Sequence, residues 1–385
     1  ATTIAPKILS RGVLYLALFL HDVAKGGGKD HSEAGARIVH KLGPRLGLTA
    51  EETEQAAWLV RHHLLFSDTA FKRDVNDPQT LSDFIAQVQS VERLRLLLVL
   101  TAADIRAVGP GRWNAWKGAL LRELYYRAEE VMTGGHEAEG KAARVAAAKS
   151  ALRETLDDWL GSEITAFSDR LFAPYWLAFD SATHARHARL VRDAEQRAAL
   201  LELDTRIDPV RAATEITLYA KDQPGMFAAV AGAMAAAGAS IVDAKAFTTS
   251  DGMALDGFWV QDAGGGPFDN QEKLARTLSL LEQALAGDSP LDAVLRDRQN
   301  LAARSRAIQV TPRVLVDNRA SSQHTVVEIN GRDRPGLLYD ISRALTDLGL
   351  SIITAHISTY GVQAVDVFYV KDRYGMQVTK KAEIE

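Results

Sequence analysis

The sequence predicts a multidomain chain: an all-α part up to about residue 210, then two copies of an α+β unit. Three observations carry this. Before residue 210, apolar residues recur at helical spacing with little strand signal. Beyond it, short alternating runs interleave with helical ones. That second pattern also repeats, for Gly225, Gly238 and Ser240 recur as Gly336, Gly349 and Ser351, all at one offset of 111 residues.

Length and composition bound the rest. At 385 residues and 47% hydrophobic content, the chain is long enough for roughly two to four domains with real cores. A net charge of −4 gives no electrostatic ground for expecting nucleic acid or a membrane as partner. The absence of cysteine excludes disulfides, thiolate metal sites and cysteine nucleophiles, and suits a reducing cytoplasm. The chain opens with Ala, abruptly before an apolar run, and is expected to be a fragment.

The first run, Val13 to Leu20, is too short to span a bilayer and reads as a buried helix. It closes on His21-Asp22, with Lys25 one helical turn after His21 on the same face. Gly26-Gly27-Gly28 breaks that helix, and Asp30-His31 opens another. His62-His63 ends a helix that starts near Ala50, and Asp104 follows the apolar helix Val91 to Ala103. Five of the ten histidines thus fall in the first 63 residues. Neutral imidazole with ionised carboxylate suits Mn, Mg, Fe or Zn, and points to metal-assisted hydrolysis of a phosphate ester. Taken singly, a His-Asp pair is more often a surface or capping pair, and His62-His63 a helix end favoured by the dipole. His40, His136, His184, His187 and His324 read as solvated or structural.

Further helices are expected over Arg112 to Met132, Glu137 to Leu160 and Ala182 to Leu203, the last as a solvated connector. Trp113 and Trp116 read as anchors of helix packing, with a partner surface as the alternative. In the first repeat, Thr214 to Ala220 is a strand, Phe227 to Ala237 a helix and Ser240 to Thr248 a strand. Leu255 to Val260 and Asn270 to Ala286 complete it, and Gly287 to Ser305 is linker or extra helix. Arg313 to Asp317 is expected to be its final strand. The second repeat holds Thr325 to Asn330, Leu338 to Leu348 and Ser351 to Thr359. Asp256-Gly-Phe-Trp-Val matches Asp366-Val-Phe-Tyr-Val after a one-residue deletion. Both repeats carry Asp-x-Pro-Gly at the first strand-to-helix turn, where glycine admits a ligand close to the backbone and helix amides can hold a carboxylate. The competing reading is a good turn with Asp as helix cap.

The set His21-Asp22-x-x-Lys25, Asp30-His31, His62-His63 and Asp104 resembles the HD phosphohydrolase superfamily. That family has an earlier histidine ligand, which is absent between Ala1 and Leu20 and is expected to lie upstream of Ala1. The repeats resemble ACT domains, ferredoxin-like modules that bind small effectors. The resemblance therefore implies an all-α HD-type phosphohydrolase domain (1–135), a helical extension (136–210) and two α+β ferredoxin-like (βαββαβ) ACT domains (211–318 and 323–385), the second incomplete.

An HD domain followed directly by paired ACT units, with Trp113-Asn114-x-Trp116-Lys117 and Gly331-Arg332-Asp333-Arg334-Pro335-Gly336-Leu337, is similar to the C-terminal part of the bifunctional uridylyltransferase/uridylyl-removing enzymes of bacterial nitrogen regulation. The transferase signature, Gly-Ser followed by an Asp-x-Asp pair, is absent. The resemblance implies metal-dependent removal of UMP from a uridylylated PII protein in the cytoplasm, with glutamine as effector. It makes His21, Asp22 and Asp104 ligands of one cation. His31, with His62, His63 or both, would hold a second, Asp22 would bridge, and Lys25 would contact the phosphate. Glutamine would bind at Asp222, Pro224, Gly225 and Met226 or at Asp333, Arg334, Pro335, Gly336 and Leu337, between repeats or between chains of a homo-oligomer. Three alternatives stand beside this: a guanosine-tetraphosphate hydrolase, a non-catalytic glutamine-sensing regulator, and another nucleotidase with an amino-acid sensor.

Overall fold

Seven α-helices build the described part of residues 1–137, which form one of two compact units. The computed structural model describes residues 3–26, 30–109, 112–133, 141–286, 291–302, 310–360 and 363–379. The helices are α1 (Arg11–Leu20), α2 (His31–Leu42), α3 (Ala50–Arg61), α4 (Leu65–Lys72), α5 (Pro78–Val88), α6 (Val91–Ala107) and α7 (Ala115–Met132). On α1, Val13, Leu14, Ala17 and Leu20 are buried at the spacing of one helical face. Asp30 caps α2 by accepting the amides of Ser32 and Glu33. Thr49 and Glu52 form a capping box that starts α3. In the core, α6 buries Leu94, Leu96, Leu97, Leu98 and Leu100, while Phe66 meets Phe84 edge to face. Trp116 is buried and the Arg106 guanidinium lies over Trp113, so the tryptophan pair serves packing.

The second unit, residues 138–385, opens with α8 (Lys141–Thr155), α9 (Gly161–Asp169), α10 (Ala173–Ala178) and α11 (Ser181–Arg197). The first repeat holds β1 (Leu201–Asp208), β2 (Ala213–Lys221), α12 (Met226–Ala237), β3 (Ser240–Lys245), β4 (Met253–Gln261) and α13 (Gln271–Leu285). After α14 (Leu291–Ala302), the second holds β5 (Arg313–Asp317), β6 (Thr325–Arg332), α15 (Leu337–Asp347), β7 (Ser351–Tyr360) and β8 (Gln363–Lys371). The strands form one antiparallel sheet of order β1-β2-β4-β3-β7-β8-β6-β5. The repeats join through β3 and β7, where Asp243 faces His356, Ala244 faces Ala355 and Lys245 faces Thr354.

Two expectations change. Arg313–Asp317 does not finish the first repeat; it pairs with β6 as the edge of the second. The first repeat takes its edge from Leu201–Asp208, part of which was expected to be helix. The physical reason is local closure. Asp208 accepts the amides of Val210 and Arg211, so β1 and β2 close as a hairpin. Each repeat is therefore a βαββ core with its edge strand ahead of it. The end of the second repeat, residues 380–385, lies outside the described residues, as do Gly27 and Gly28 of the glycine run, His136 and residues 303–309.

α11 is not a solvated connector. It buries His184, Ala185, His187, Ala188, Leu190 and Val191 against a core that includes Tyr175, Trp176, Tyr219 and Leu255. His187 bridges the Tyr175 hydroxyl and Thr217 Oγ1. Arg186 pairs with Asp204 at 2.6 Å and Glu215 at 3.0 Å, tying the helix to β1 and β2. The opposite face of the sheet packs under α12, α13 and α15, with Phe258, Val260, Phe368 and Val370 buried there. No helix among the described residues is long and apolar enough to cross a membrane.

Asp256 on β4 and Asp366 on β8 are also buried, and burial pushes them up to about 8 and about 7. Both are protonated in the folded state at mildly acidic pH and would be ionised in the unfolded chain. Their contribution to stability is therefore complete below the ordinary carboxylate pKa and is lost as pH rises through about 7 and 8. The midpoint of thermal unfolding of this unit is expected to fall between pH 6 and pH 9, and Asp256→Asn is expected to flatten that slope. An unchanged slope in the variant would refute this assignment.

Candidate metal centre

His21 closes α1, and its Nδ1 lies 2.9 Å from the Leu18 carbonyl. A carbonyl only accepts, so Nδ1 carries the proton and Nε2 is the nitrogen turned to the carboxylates. Nε2 lies 3.3 Å from Asp104 Oδ1 and 3.9 Å from Asp22 Oδ2. His63, just beyond α3, repeats the device: Nδ1–H donates to the Val60 carbonyl at 2.8 Å, and Nε2 lies 3.9 Å from Asp22 Oδ1. His31, the first residue of α2, brings its Nε2 to 3.9 Å from the same oxygen. The ligand atoms of Asp22, His31 and His63 lie within 4.8 Å of one another. His21 and Asp104 continue the cluster on the other side of Asp22.

Asp22 is the hub, and Lys25 Nζ donates to its Oδ2 at 2.6 Å. Burial alone would raise Asp22, but the hydrogen bond and charge of Lys25, with His21 and His63, hold it below the ordinary carboxylate range. The same bond raises Lys25. The hydrogen bond to Asp104 raises His21 against the opposing effect of burial. His63 is 2% exposed, and burial, helped by the neighbouring imidazoles, lowers its pKa. The neutral ring that results is the metal-binding form. Metal-bound histidines are commonly held in this way, one N–H given to a backbone carbonyl and the other nitrogen turned inward. The donors are imidazole and carboxylate, so the residues present fit a hard or borderline divalent cation.

His62 does not join them. Its ring packs on Trp58 at 4.9 Å between centroids, and burial and Arg61 lower its pKa. The expectation was His62, His63 or both; the described geometry brings His63 rather than His62 to Asp22, for α3 stops at Arg61 and His62 leaves helical geometry at φ −108°, ψ 18°. Sequence reasoning also missed the carbonyls of Leu18 and Val60, each three residues before a histidine at a helix end. It missed the Glu33–Arg61 pair at 2.8 Å that ties α2 to α3 near the site.

At the proposed effector turns, the helix caps are Gly225 and Gly336, both left-handed at φ +83° and +79°. Met226 and Leu337 start the helices, their amides closing the turns onto Gln223 and Arg334, with Pro224 and Pro335 inside them. The aspartates do not cap. Asp222 instead accepts from the Thr248 hydroxyl at 2.6 Å, and burial raises Asp333. Arg334 pairs with Asp340 at 2.5 Å on the first turn of α15.

Residues 1–106 match the HD domain family, and residues 320–385 match the ACR family N-terminal ACT domain. Bifunctional uridylyltransferase/uridylyl-removing enzymes are similar over 98% of the chain: that of Azospirillum brasilense is 56% identical, with 41% of its length covered. Those of Rhodospirillum rubrum and Gluconobacter oxydans are 51% and 50% identical, each over 98% of the chain and 40% of the relative. No solved structure matches. The chain thus spans about two fifths of the length of the curated relatives it matches. It combines an HD domain with ACT-type units and is, along nearly its whole length, similar to the C-terminal portion of the bifunctional uridylyltransferase/uridylyl-removing enzymes.

Proposed function

We propose that this chain is a metal-dependent phosphodiesterase that removes UMP from a uridylylated PII protein, under control of glutamine bound by the ACT units. One observation carries the catalytic part: three imidazole nitrogens and the carboxylates of Asp22 and Asp104 converge, with two of the rings held by Nδ1–H bonds to carbonyls. Imidazole and carboxylate donors turned to one point suit a divalent cation. Asp22, His31 and His63 would hold that cation, with His21 and Asp104 alongside. When bound, a divalent cation supplies activation of water and neutralisation of charge on the phosphoryl oxygens. Lys25 holds Asp22 ionised and in place, and its ammonium would donate to the phosphate or to the leaving phenolate. The leaving group is a tyrosine phenolate of pKa about 10, which needs modest further stabilisation. The relatives' names support the substrate class.

The test is hydrolysis of uridylylated PII by the 385-residue chain, with and without Mn, chelator and glutamine. UMP release that needs the metal and responds to glutamine is expected. Release of pyrophosphate from guanosine tetraphosphate with none from modified PII would transfer the site to the other HD chemistry. A bound metal with no hydrolysis of any phosphodiester would leave a sensor alone.

For the effector, Gly336→Val places a β-branched residue at φ +79°, at a cost of about 1–2 kcal/mol, and crowds the start of α15. Glutamine affinity is expected to fall severalfold. An unchanged calorimetric titration would remove that turn from the effector site.

A further inference from the structure

The helices α2 and α3 run antiparallel, for Glu33 meets Arg61 at one end of the pair and His40 meets Glu54 at the other. Glu33 lies in the first turn of α2 and accepts the Nε–H of Arg61, in the last turn of α3, at 2.8 Å. Both charges suit their places, since a carboxylate is favoured at a helix N-terminus and a guanidinium at a C-terminus. Two residues back along α2 and two on from Arg61 stand His31 and His63, whose rings meet edge to face at 5.4 Å between centroids. Residues two apart on a helix do not share a face, so Glu33 grips α3 from a different side of α2 than His31. Between the helices, a Cβ on Gly35 would lie 2.8 Å from Val60 Cγ1. That apolar contact fixes how close the helices come. It has no directional group to stop α2 sliding or rolling on α3, and the ion pair supplies one.

We propose that Glu33 and Arg61 are positioning residues of the metal centre: their ion pair sets the register of α2 on α3 and so keeps His31 Nε2 and His63 Nε2 each 3.9 Å from the same oxygen of Asp22. The proposal rests on the reading of this cluster as a metal centre and adds what aligns two of its rings. Neither residue is a ligand; both act through the histidines. The tolerance is small. A slide of one residue along a helix is about 1.5 Å, whereas metal–ligand distances hold to about 0.2 Å. The His40–Glu54 pair, at 3.6 Å and more exposed, marks the same register at the end away from the rings. It serves as the internal control.

The experiment is calorimetric titration of the 385-residue chain with Mn²⁺, with thermal unfolding measured beside it. Arg61→Ala and Glu33→Gln are each expected to raise the Kd for Mn²⁺ about fivefold, between the scale of an exposed ion pair and that of a charged hydrogen bond. The double variant is expected to lose no more than either single one, because both break the same contact. Glu54→Gln is expected to leave Kd within about twofold, whatever it does to the melting temperature. A wild-type Kd in Glu33→Gln, a near-isosteric change at a partly exposed site, overturns the proposal even if Arg61→Ala does not fold; the metal reading then stands. Losses that add in the double variant overturn it too, as does an equal loss in Glu54→Gln, which would mark general loosening of the two helices. If the wild-type chain binds neither Mn²⁺ nor Zn²⁺, the metal reading fails and the positioning role falls with it.

Discussion

Replacing Asp22 with alanine is expected to abolish metal-dependent UMP release while leaving glutamine binding within about twofold. Asp22 is where the cluster meets: one oxygen faces His31 and His63, the other faces Lys25 and His21. Removing it takes away the carboxylate that His31 and His63 share and leaves the Lys25 ammonium without its partner. Losses of about 10–100-fold are typical even for residues that only orient ligands, so a direct ligand should cost at least that. Metal content after dialysis and UMP release are the two readouts. Turnover equal to wild type would remove Asp22 from the reaction and with it the metal reading. Thermal unfolding of the variant separates this from a folding defect, since Asp22 is partly exposed and sits in a turn.

The second large effect is expected at Gly35, one helical turn beyond His31 on α2. A Cβ built there would lie 2.8 Å from Val60 Cγ1, closer than carbon atoms approach. Val60 is β-branched and stiff, so the helices must part rather than the side chain turn. α2 carries His31, α3 leads into His63, and the His63 ring hangs from the carbonyl of Val60 itself. Gly35→Val is expected to cost about 1–3 kcal/mol and to weaken metal binding by drawing the two imidazoles apart. Gly35→Ala combined with Val60→Ala should restore most of both. Wild-type metal affinity in Gly35→Val would show that the separation of α2 and α3 does not set the site.

Much of this architecture was legible because the relevant signals are local. The Pro-Gly turns, stop glycines and alternating strands recur at fixed spacing, and the helices that end in His21 and His63 follow from apolar periodicity. What escaped depends on partners distant in the chain. Leu201–Asp208 alternates as a strand should, but it follows directly on an Arg- and Glu-rich helix whose pattern runs into it. Arg313–Asp317 was recognisable as a strand, but nothing local says which neighbour it takes. The choice between His62 and His63 turns on one residue's backbone at a helix end, which periodicity does not resolve. A bridging Asp22 was implied by the resemblance, but which ring faces which of its oxygens is a property of the assembled helices.

The pairing of β3 with β7 also has a consequence for signalling. Receptors that complete a shared sheet by recruiting a second molecule respond according to how much protein the cell contains. Here the inner edges are consumed within one polypeptide, tethered through α13 and α14, so the two halves meet at an effective concentration set by that tether. The readout of effector by this unit should therefore survive dilution, its midpoint tracking the metabolite and not the abundance of the sensor.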